Sequence, residues 1–352
     1  MNMLMTPPQP VKPSFQPEPS LPGGNSFVRL VTAQIIAQVR GRRIEDVVAE
    51  RYPSDRVIRA AVAPAMTSVA GWAAELAQRM VADNLKALGP ASAAAEIFRN
   101  SLVLNFDGFG SISAPGFVAE FGNAGFVAEG APIPVRQLAA SPALLEPHKL
   151  AAIAVLTREM IESSNAEALV EDTLTHAAGR MLDEVLFDAN PGDAARPAGL
   201  RYGIAASTAS NNADPTYAFY EDMGVLFNEL APVGGNGPFI LVMSPGRAML
   251  FNARTSGAPS GTNVIVLGSS AVINDVLAIA PAALVAAFSP QPEIETSKAA
   301  SLVMDTVPGP AGTMGPQRSM FQTDTMSLKM RWPVTWALRD PRAFAWMTPV
   351  WK

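Results

Sequence analysis

Few residues in this chain are of the kinds that make and break bonds, and their spacing limits the chemistry open to them. Cysteine is absent, and the two histidines are His148 and His176. Without thiols there is no disulfide, no thiolate metal site and no cysteine nucleophile. His148 sits between Pro147 and Lys149 in a stretch that reads as extended, and His176 falls on the polar side of a helix. Each reads more simply as a surface or interface imidazole than as a metal ligand or triad base. Carboxylates pair at Glu171-Asp172, Asp183-Glu184 and Glu221-Asp222, where acid–base work would be sought. All three pairs read as solvated helix faces. No Gly-x-x-x-x-Gly-Lys-Ser/Thr loop occurs, and Gly234-Gly-Asn-Gly237 precedes a strand rather than a helix, which makes it a poor phosphate cradle. Gly108-Phe-Gly110 reads as a turn. Ser260-Gly261-Thr262 has no histidine near it in sequence, and there is no Gly-x-Ser-x-Gly elbow. Catalytic, cofactor-binding and metal-binding residues are therefore all expected to be absent.

The 352 residues leave room for about two domains and a substantial core. Hydrophobic residues make up 49% and charged residues only 16%, against about 25% in an average soluble chain. Large permanent interfaces are depleted of charge at their centres, so obligate assembly explains this surface better than a free monomer does. The net charge of −5 argues against a reader of nucleic acid that neutralises phosphates. No apolar run reaches the roughly 18 residues of a membrane span. The first ten residues also lack the charged and apolar regions of a signal peptide, so the chain is expected in the cytoplasm until it assembles.

The strongest local signal is one long helix. Ser164-Asn-Ala-Glu167 has the pattern of a capping box, in which hydroxyl and carboxylate satisfy each other's backbone donors. Ala166, Leu169, Val170, Leu174, Ala177, Ala178, Met181, Leu182, Val185 and Leu186 follow at three- and four-residue steps, and Asn190-Pro-Gly192 stops the helix. About 24 residues at 1.5 Å each give roughly 36 Å. Periodicity alone fits equally well a long core helix of an α/β enzyme.

The second signal lies near the C-terminus. Met326, Leu328, Met330, Trp332, Val334, Trp336 and Leu338 alternate with Ser327, Lys329, Arg331, Pro333, Thr335, Ala337 and Arg339. Strict period two over this length predicts a strand of roughly 45 Å with one buried face. Pro333 has no N–H to give, so the strand is expected at a sheet edge or with a bulge there. Four of the five tryptophans lie in this region, at 332, 336, 346 and 351, and are expected to close its packing.

Elsewhere, residues 1–25 hold seven prolines and read as extended or disordered. Helices are predicted at 29–39, 44–62 with a break at Tyr52-Pro53, 67–85 and 91–98. From Ser101 the pattern is extended. Gly116-Phe-Val-Ala-Glu120 recurs as Gly125-Phe-Val-Ala-Glu129, with a turn expected at Gly122-Asn123. Ala131-Pro-Ile-Pro134 cannot be a central strand and suits a loop tip. Residues 201–310 read as an α/β unit with a helix at 217–230, a buried strand at 239–243, a helix starting at Ser244-Pro245, a mobile loop at 252–262 and strands at 263–267 and 293–304.

The run Glu129-Gly-Ala-Pro-Ile-Pro-Val-Arg136, the return strand after it, the long helix, Arg196-Pro-Ala-Gly-Leu200 and the final alternating strand occur in an order that resembles the major capsid proteins of tailed bacteriophages. The resemblance spans residues 101–347. It implies an α+β chain with the Hong Kong phage-type capsid fold: a disordered arm at 1–25, a helical arm region at 26–100, an extended β-hairpin loop and return strand at 101–158, a peripheral domain with its spine helix at 159–200, an axial domain at 201–310, and a C-terminal strand completing the peripheral domain at 311–352. It further implies self-assembly into pentamers and hexamers of an icosahedral head that encloses double-stranded DNA without reading its sequence. Portal and scaffolding or protease proteins are the implied partners, and the location is the virion capsid, assembled in the host bacterial cytoplasm. Loop-tip contacts between subunits are expected from Glu129, Pro132, Ile133, Pro134 and Arg136, with Glu129 and Arg136 as ion-pair formers. Packing is expected from Leu169, Val170, Leu174, Met181 and Leu182 on the spine helix, and from Leu328, Met330, Trp332, Val334 and Trp336 on the final strand.

Some members of that family crosslink a loop lysine to a neighbour's asparagine. Here no lysine occurs between Lys86 and Lys149, so a noncovalent shell is expected. Scaffolding is expected to be supplied by a separate chain. Two other readings stay open: an encapsulin-type compartment of the same fold, distinguished by protein cargo, and a soluble α/β enzyme, which would need a convergent polar site.

Overall fold

The computed structural model describes residues 26–55, 58, 59, 85, 86, 88, 89, 91–106, 110–116, 143–157, 166–255, 263–289, 293–303 and 317–351. Helices and strands are mixed, as α+β requires, and they are organised by one strand. β12 (Thr325–Leu338) is the period-two segment, and its alternation places Met326, Leu328, Met330, Trp332, Val334 and Trp336 in the core. On one side it pairs antiparallel with β4 (His148–Thr157), from Thr325↔Thr157 to Val334↔His148. On the other it takes two partners in succession, β9 (Glu293–Ser297) opposite 327–331 and β8 (Leu284–Phe288) opposite 334–338. β1 (Leu102–Asn105) extends the sheet by pairing parallel with β8.

The strand is thus interior, contrary to the expectation of an edge or bulge at Pro333. Ser289 N–H donates to the Pro333 carbonyl at 2.9 Å, which puts the proline's backbone groups on the side facing β8 and β9. There β9 ends opposite Arg331 and β8 begins opposite Val334. The missing N–H falls in the gap between two partners, where a ladder bond is not required.

The second sheet runs β13–β7–β5–β6, comprising β5 (Phe239–Met243), β6 (Val264–Gly268), β7 (Val276–Ile279) and β13 (Phe344–Met347). β5 and β6 are parallel, joined through α6 (Pro245–Thr255), and 252–255, expected in a loop, close that helix. α5 (Pro215–Gly234) packs on the same face. Asp214 caps α5 by accepting from Thr216 N–H at 2.7 Å, and Pro215 follows at the first turn where its lost donor costs nothing. Both faces of this sheet are buried. Leu241, Met243, Val276 and Ala278 point toward α5 and α6, while Ile240, Val242, Leu277 and Ile279 join the core under β12.

That shared core corrects the division expected at residues 201–310 and 311–352. β8 and β9 belong to the β12 sheet, whereas β13 crosses back to complete the other. The strand expected at 293–304 is two, β9 and β10 (Ser301–Val303), and β10 pairs with β11 (Gln317–Ser319). Trp332 and Trp336 pack under β12, but Trp351 lies in the core beneath α5.

α4 (Ala166–Leu186) is the long helix of 21 residues, and α3 (Ala93–Arg99) packs against it. Phe98 of α3 meets Phe288 edge-on at 5.4 Å and Trp336 at 5.6 Å, and Phe288 meets Trp332 at 5.1 Å, so an aromatic chain links helix and sheet. α1 (Ser26–Arg40) and α2 (Ile44–Arg51) pack on each other through Ala33, Ile36, Ala37, Val47 and Val48. α2 stops at Tyr52, where the break was expected.

Candidate assembly framework

The loop-tip residues Glu129, Pro132, Ile133, Pro134 and Arg136 lie outside the described residues. Their stem does not. β2 (Ile112–Ala114) and β3 (Ala143–Leu145) pair antiparallel with Ala114 opposite Ala143, so the intervening segment leaves and returns at one point. The stem is anchored because Ala114 and Leu145 are fully buried against Phe106, Val285 and Ala287 on the sheet face opposite α4. Arg339 Nε–H, from the end of β12, also donates to the Pro115 carbonyl at 2.8 Å.

On the long helix, Leu182 is buried at 1% exposure, with Ala178 and Leu186 one turn away on either side. Met181 is a correction: expected in the core, it is 49% exposed beside exposed Ala177 and Arg180. The apolar stripe counted from sequence is wider than the arc one packed face can cover. Helical positions 169, 170 and 174 fall on α4, but their side chains are outside the described set. On the final strand, Leu328, Met330, Trp332, Val334 and Trp336 are all buried. Both indoles satisfy their donors: Trp332 Nε1–H donates to the Ser289 carbonyl at 2.8 Å, and Trp336 Nε1–H to the Ala198 carbonyl at 2.9 Å.

Sequence reasoning missed two carboxylates. Asp183, read as part of a solvated face, is 5% exposed and accepts four hydrogen bonds. Its Oδ1 receives Ser92 Oγ–H at 2.6 Å and Ala94 N–H at 2.9 Å, and its Oδ2 receives Ala93 N–H at 3.2 Å and Ser269 Oγ–H at 2.5 Å. Ser92 in turn caps α3 by accepting from Ala95 N–H at 3.2 Å. One carboxylate thereby ties α4 to the start of α3 and to the segment after β6. Gly179, one turn earlier, permits the approach, since a Cβ there would stand 3.2 Å from both the Ala91 carbonyl oxygen and Ser92 Cβ. Asp222, in another pair read as solvated, is 1% exposed and accepts from Ser210 N–H at 2.7 Å and Trp351 Nε1–H at 2.8 Å. The available sequence signal was the residue beside each: Glu184 and Glu221 are the exposed partners, so each pair straddles the helix boundary between core and water.

Other charges brace the β12 sheet. Lys329 Nζ meets Glu295 at 3.0 Å, and Arg331 meets Glu293 at 2.6 Å and Glu295 at 2.9 Å, across the β9–β12 pair. The hydrogen bond from Lys329, then the charges of Lys329 and Arg331, hold the Glu295 carboxyl below its ordinary range. Burial pushes the Asp340 carboxyl up, but hydrogen bonds from the Arg342 side chain and backbone N–H outweigh it and the net shift is downward. His148 bridges Thr335 Oγ1 at 3.3 Å and the Asp193 carbonyl at 3.0 Å. Among the described residues no three of His, Cys, Asp or Glu are grouped to hold a metal ion, and no helix is long and apolar enough to cross a membrane. The arrangement braces elements against one another.

No family model matches the chain. It is similar to the capsid polyprotein of Pseudomonas phage PAJU2, 28% identical over 330 residues, which cover 84% of this chain and 48% of the relative. The chain thus spans about half the length of the curated relative it matches. Among solved structures, one from Microbacterium phage Oxtober96 shares 16% identity over 74% of this chain and 91% of its own, with a TM-score of 0.49. A satellite phage P4 procapsid structure shares 7% identity over 82% and 94%, with a TM-score of 0.47. A virus-like particle from Pyrococcus furiosus shares 12% over 78% and 98%, with a TM-score of 0.44.

Proposed function

We propose that this chain is the major capsid protein of a tailed phage, a structural protein with no enzymatic activity. Copies assemble into the hexamers and pentamers of an icosahedral head around double-stranded DNA, held by noncovalent contacts. The observation that carries the reading is the alignment with a phage capsid polyprotein across 84% of the chain. Two features support it independently. A charge content of 16% suits a surface largely covered by neighbours. The anchored β2–β3 stem also gives the segment that bears Glu129 and Arg136 a fixed root from which to reach another copy. Portal and scaffolding or protease proteins complete the assembly, which takes place in the bacterial cytoplasm.

The test is negative-stain microscopy of the purified full chain, with absorbance at two ultraviolet wavelengths to detect nucleic acid. Closed shells, tubes or sheets of capsomers are expected, running as single chains in boiling detergent. A folded chain that stays monomeric at every concentration, both alone and when co-produced with its scaffolding protein, overturns the proposal. A ladder of covalent oligomers overturns its noncovalent part.

A further inference from the structure

The turn between β11 and β12 carries the most exposed large hydrophobic side chain among the described residues. Phe321 is 82% exposed, while its neighbour Met320 is fully buried. The turn that displays Phe321 is held at several points. Thr325 N–H donates to the Met320 carbonyl at 3.0 Å, and Met320 N–H donates to the Ala300 carbonyl at 3.0 Å beside β10. Thr323 Oγ1–H donates to the Ser319 carbonyl at 3.0 Å, and its oxygen lies 2.8 Å from Thr325 Oγ1. Thr325 Oγ1–H also reaches the Met320 sulfur at 3.2 Å. Asp324 turns the chain at φ +44°, and it is the one non-glycine residue with positive φ among those described. That conformation is uncommon for a residue with a Cβ, and here the surrounding bonds enforce it.

A turn this constrained fixes where the Phe321 backbone stands before any partner arrives, so less chain entropy is lost on binding. Inside its own chain the ring contributes almost no burial, so the fold does not account for it. We propose that Phe321 is an anchor residue seated against a second copy of this chain, a contact that rests on the shell-forming reading above. One projecting side chain fits a receiving surface of another shape. Exposed apolar side chains lie on other elements, among them Ile153 on β4, Met249 on α6 and Ile273 after β6. A contact between a projection and a different surface is head-to-tail, the kind that closes rings when its rotation closes and otherwise extends an open array.

The absence of cysteine makes the test clean, since Phe321→Cys places a unique thiol on the turn. In the full chain that thiol should react with a maleimide when dilute and unassembled, and lose most of its reactivity once co-assembled with an excess of the unmodified chain. Phe321→Ala should leave the unfolding transition of the unassembled chain unchanged and raise the concentration needed for assembly about 30-fold, the size of an interface hot spot. If the unmodified chain assembles while Phe321→Ala assembles at the same concentration, or the thiol stays reactive in shells, the anchor is refuted and the shell reading stands. A Phe321→Ala chain that is itself less stable places the role of the ring inside the fold and also refutes the anchor. If the unmodified chain forms no assemblies, either alone or co-produced with its scaffolding protein, the shell reading fails and takes the anchor with it.

Discussion

Replacing Asp183 by asparagine changes one atom and one charge, yet it should be among the most damaging conservative substitutions in the chain. In the native arrangement each carboxylate oxygen receives one serine hydroxyl and one backbone N–H of α3. Asparagine keeps one accepting oxygen and turns the other into a donor. The hydroxyl on that side can rotate to accept, but the backbone N–H of Ala93 or Ala94 cannot. One buried amide is left unpaired at about 1–3 kcal/mol, and loss of the negative charge at the start of α3 adds about 0.3–1 kcal/mol. Asp183→Asn should therefore cost about 1.5–4 kcal/mol. Ser269→Ala removes one donor and leaves the carboxylate three others, so it should cost about 1 kcal/mol. The assay is urea unfolding of the unassembled chain by tryptophan fluorescence, with hydrogen exchange at the α3 amides. Exchange should accelerate at Ala93 and Ala94 in Asp183→Asn before the global transition moves. An Asp183→Asn chain within about 0.5 kcal/mol of the parent, with α3 amides equally protected, would falsify the claim that this carboxylate organises the junction.

Other perturbations follow from single observations. A Cβ at Gly199 would collide with the Asp188 carbonyl and carboxylate, whereas one at Gly224 on α5 would meet nothing within 4 Å. Gly199→Ala should cost about 3 kcal/mol or more and Gly224→Ala should gain about 0.5–1 kcal/mol, both read as shifts of the denaturant midpoint. Trp351→Phe keeps an aromatic ring but withdraws the indole N–H that, with the Ser210 N–H, donates to Asp222, and should cost about 1.5–3 kcal/mol in the same measurement. Asp340 has its folded value below the ordinary carboxylate range. Its stabilisation is present above the unfolded value of about 3.9 and is lost as pH falls through the lower folded value. Because Arg342 is half exposed, the effect should be about 1 kcal/mol at most. The stability gap between the parent and Asp340→Asn should be flat from about pH 7 to 5 and shrink below about pH 4; a gap that widens there sinks the assignment.

The parts of the fold legible in sequence were those where one period runs long and one face is buried. The β12 alternation and the α4 stripe are of that kind, and Phe239–Met243 and the Ser244-Pro245 helix start were placed correctly. β7 and β8 were not foreseen. Val276–Ile279 and Leu284–Phe288 are buried on both faces, so their sequences are continuous apolar runs with no alternation to count. The destination of Phe344–Met347 was equally hidden, because strand pairing partners far apart in sequence leave no local mark. Asp183 escaped for a related reason: its partners Ser92 and Ser269 lie 91 and 86 residues away, on separate elements. The expected loop-tip contacts concern surfaces between copies, where the pattern within one chain carries little information.

The pairing of β4 with β12 also sets a timetable for synthesis. Residues 148–157 leave the ribosome long before their partners 325–334 exist, and the parallel pair β1–β8 waits similarly. At about 5–20 residues per second, β4 spends about 10–30 s without its native neighbour. It is a ten-residue strand whose single cation is Lys149, so it is a ready template for mispairing in that interval. Yield should therefore depend on translation speed and on chaperones that bind extended apolar segments, and slow decoding between codons 160 and 320 should favour inclusion bodies over soluble protein.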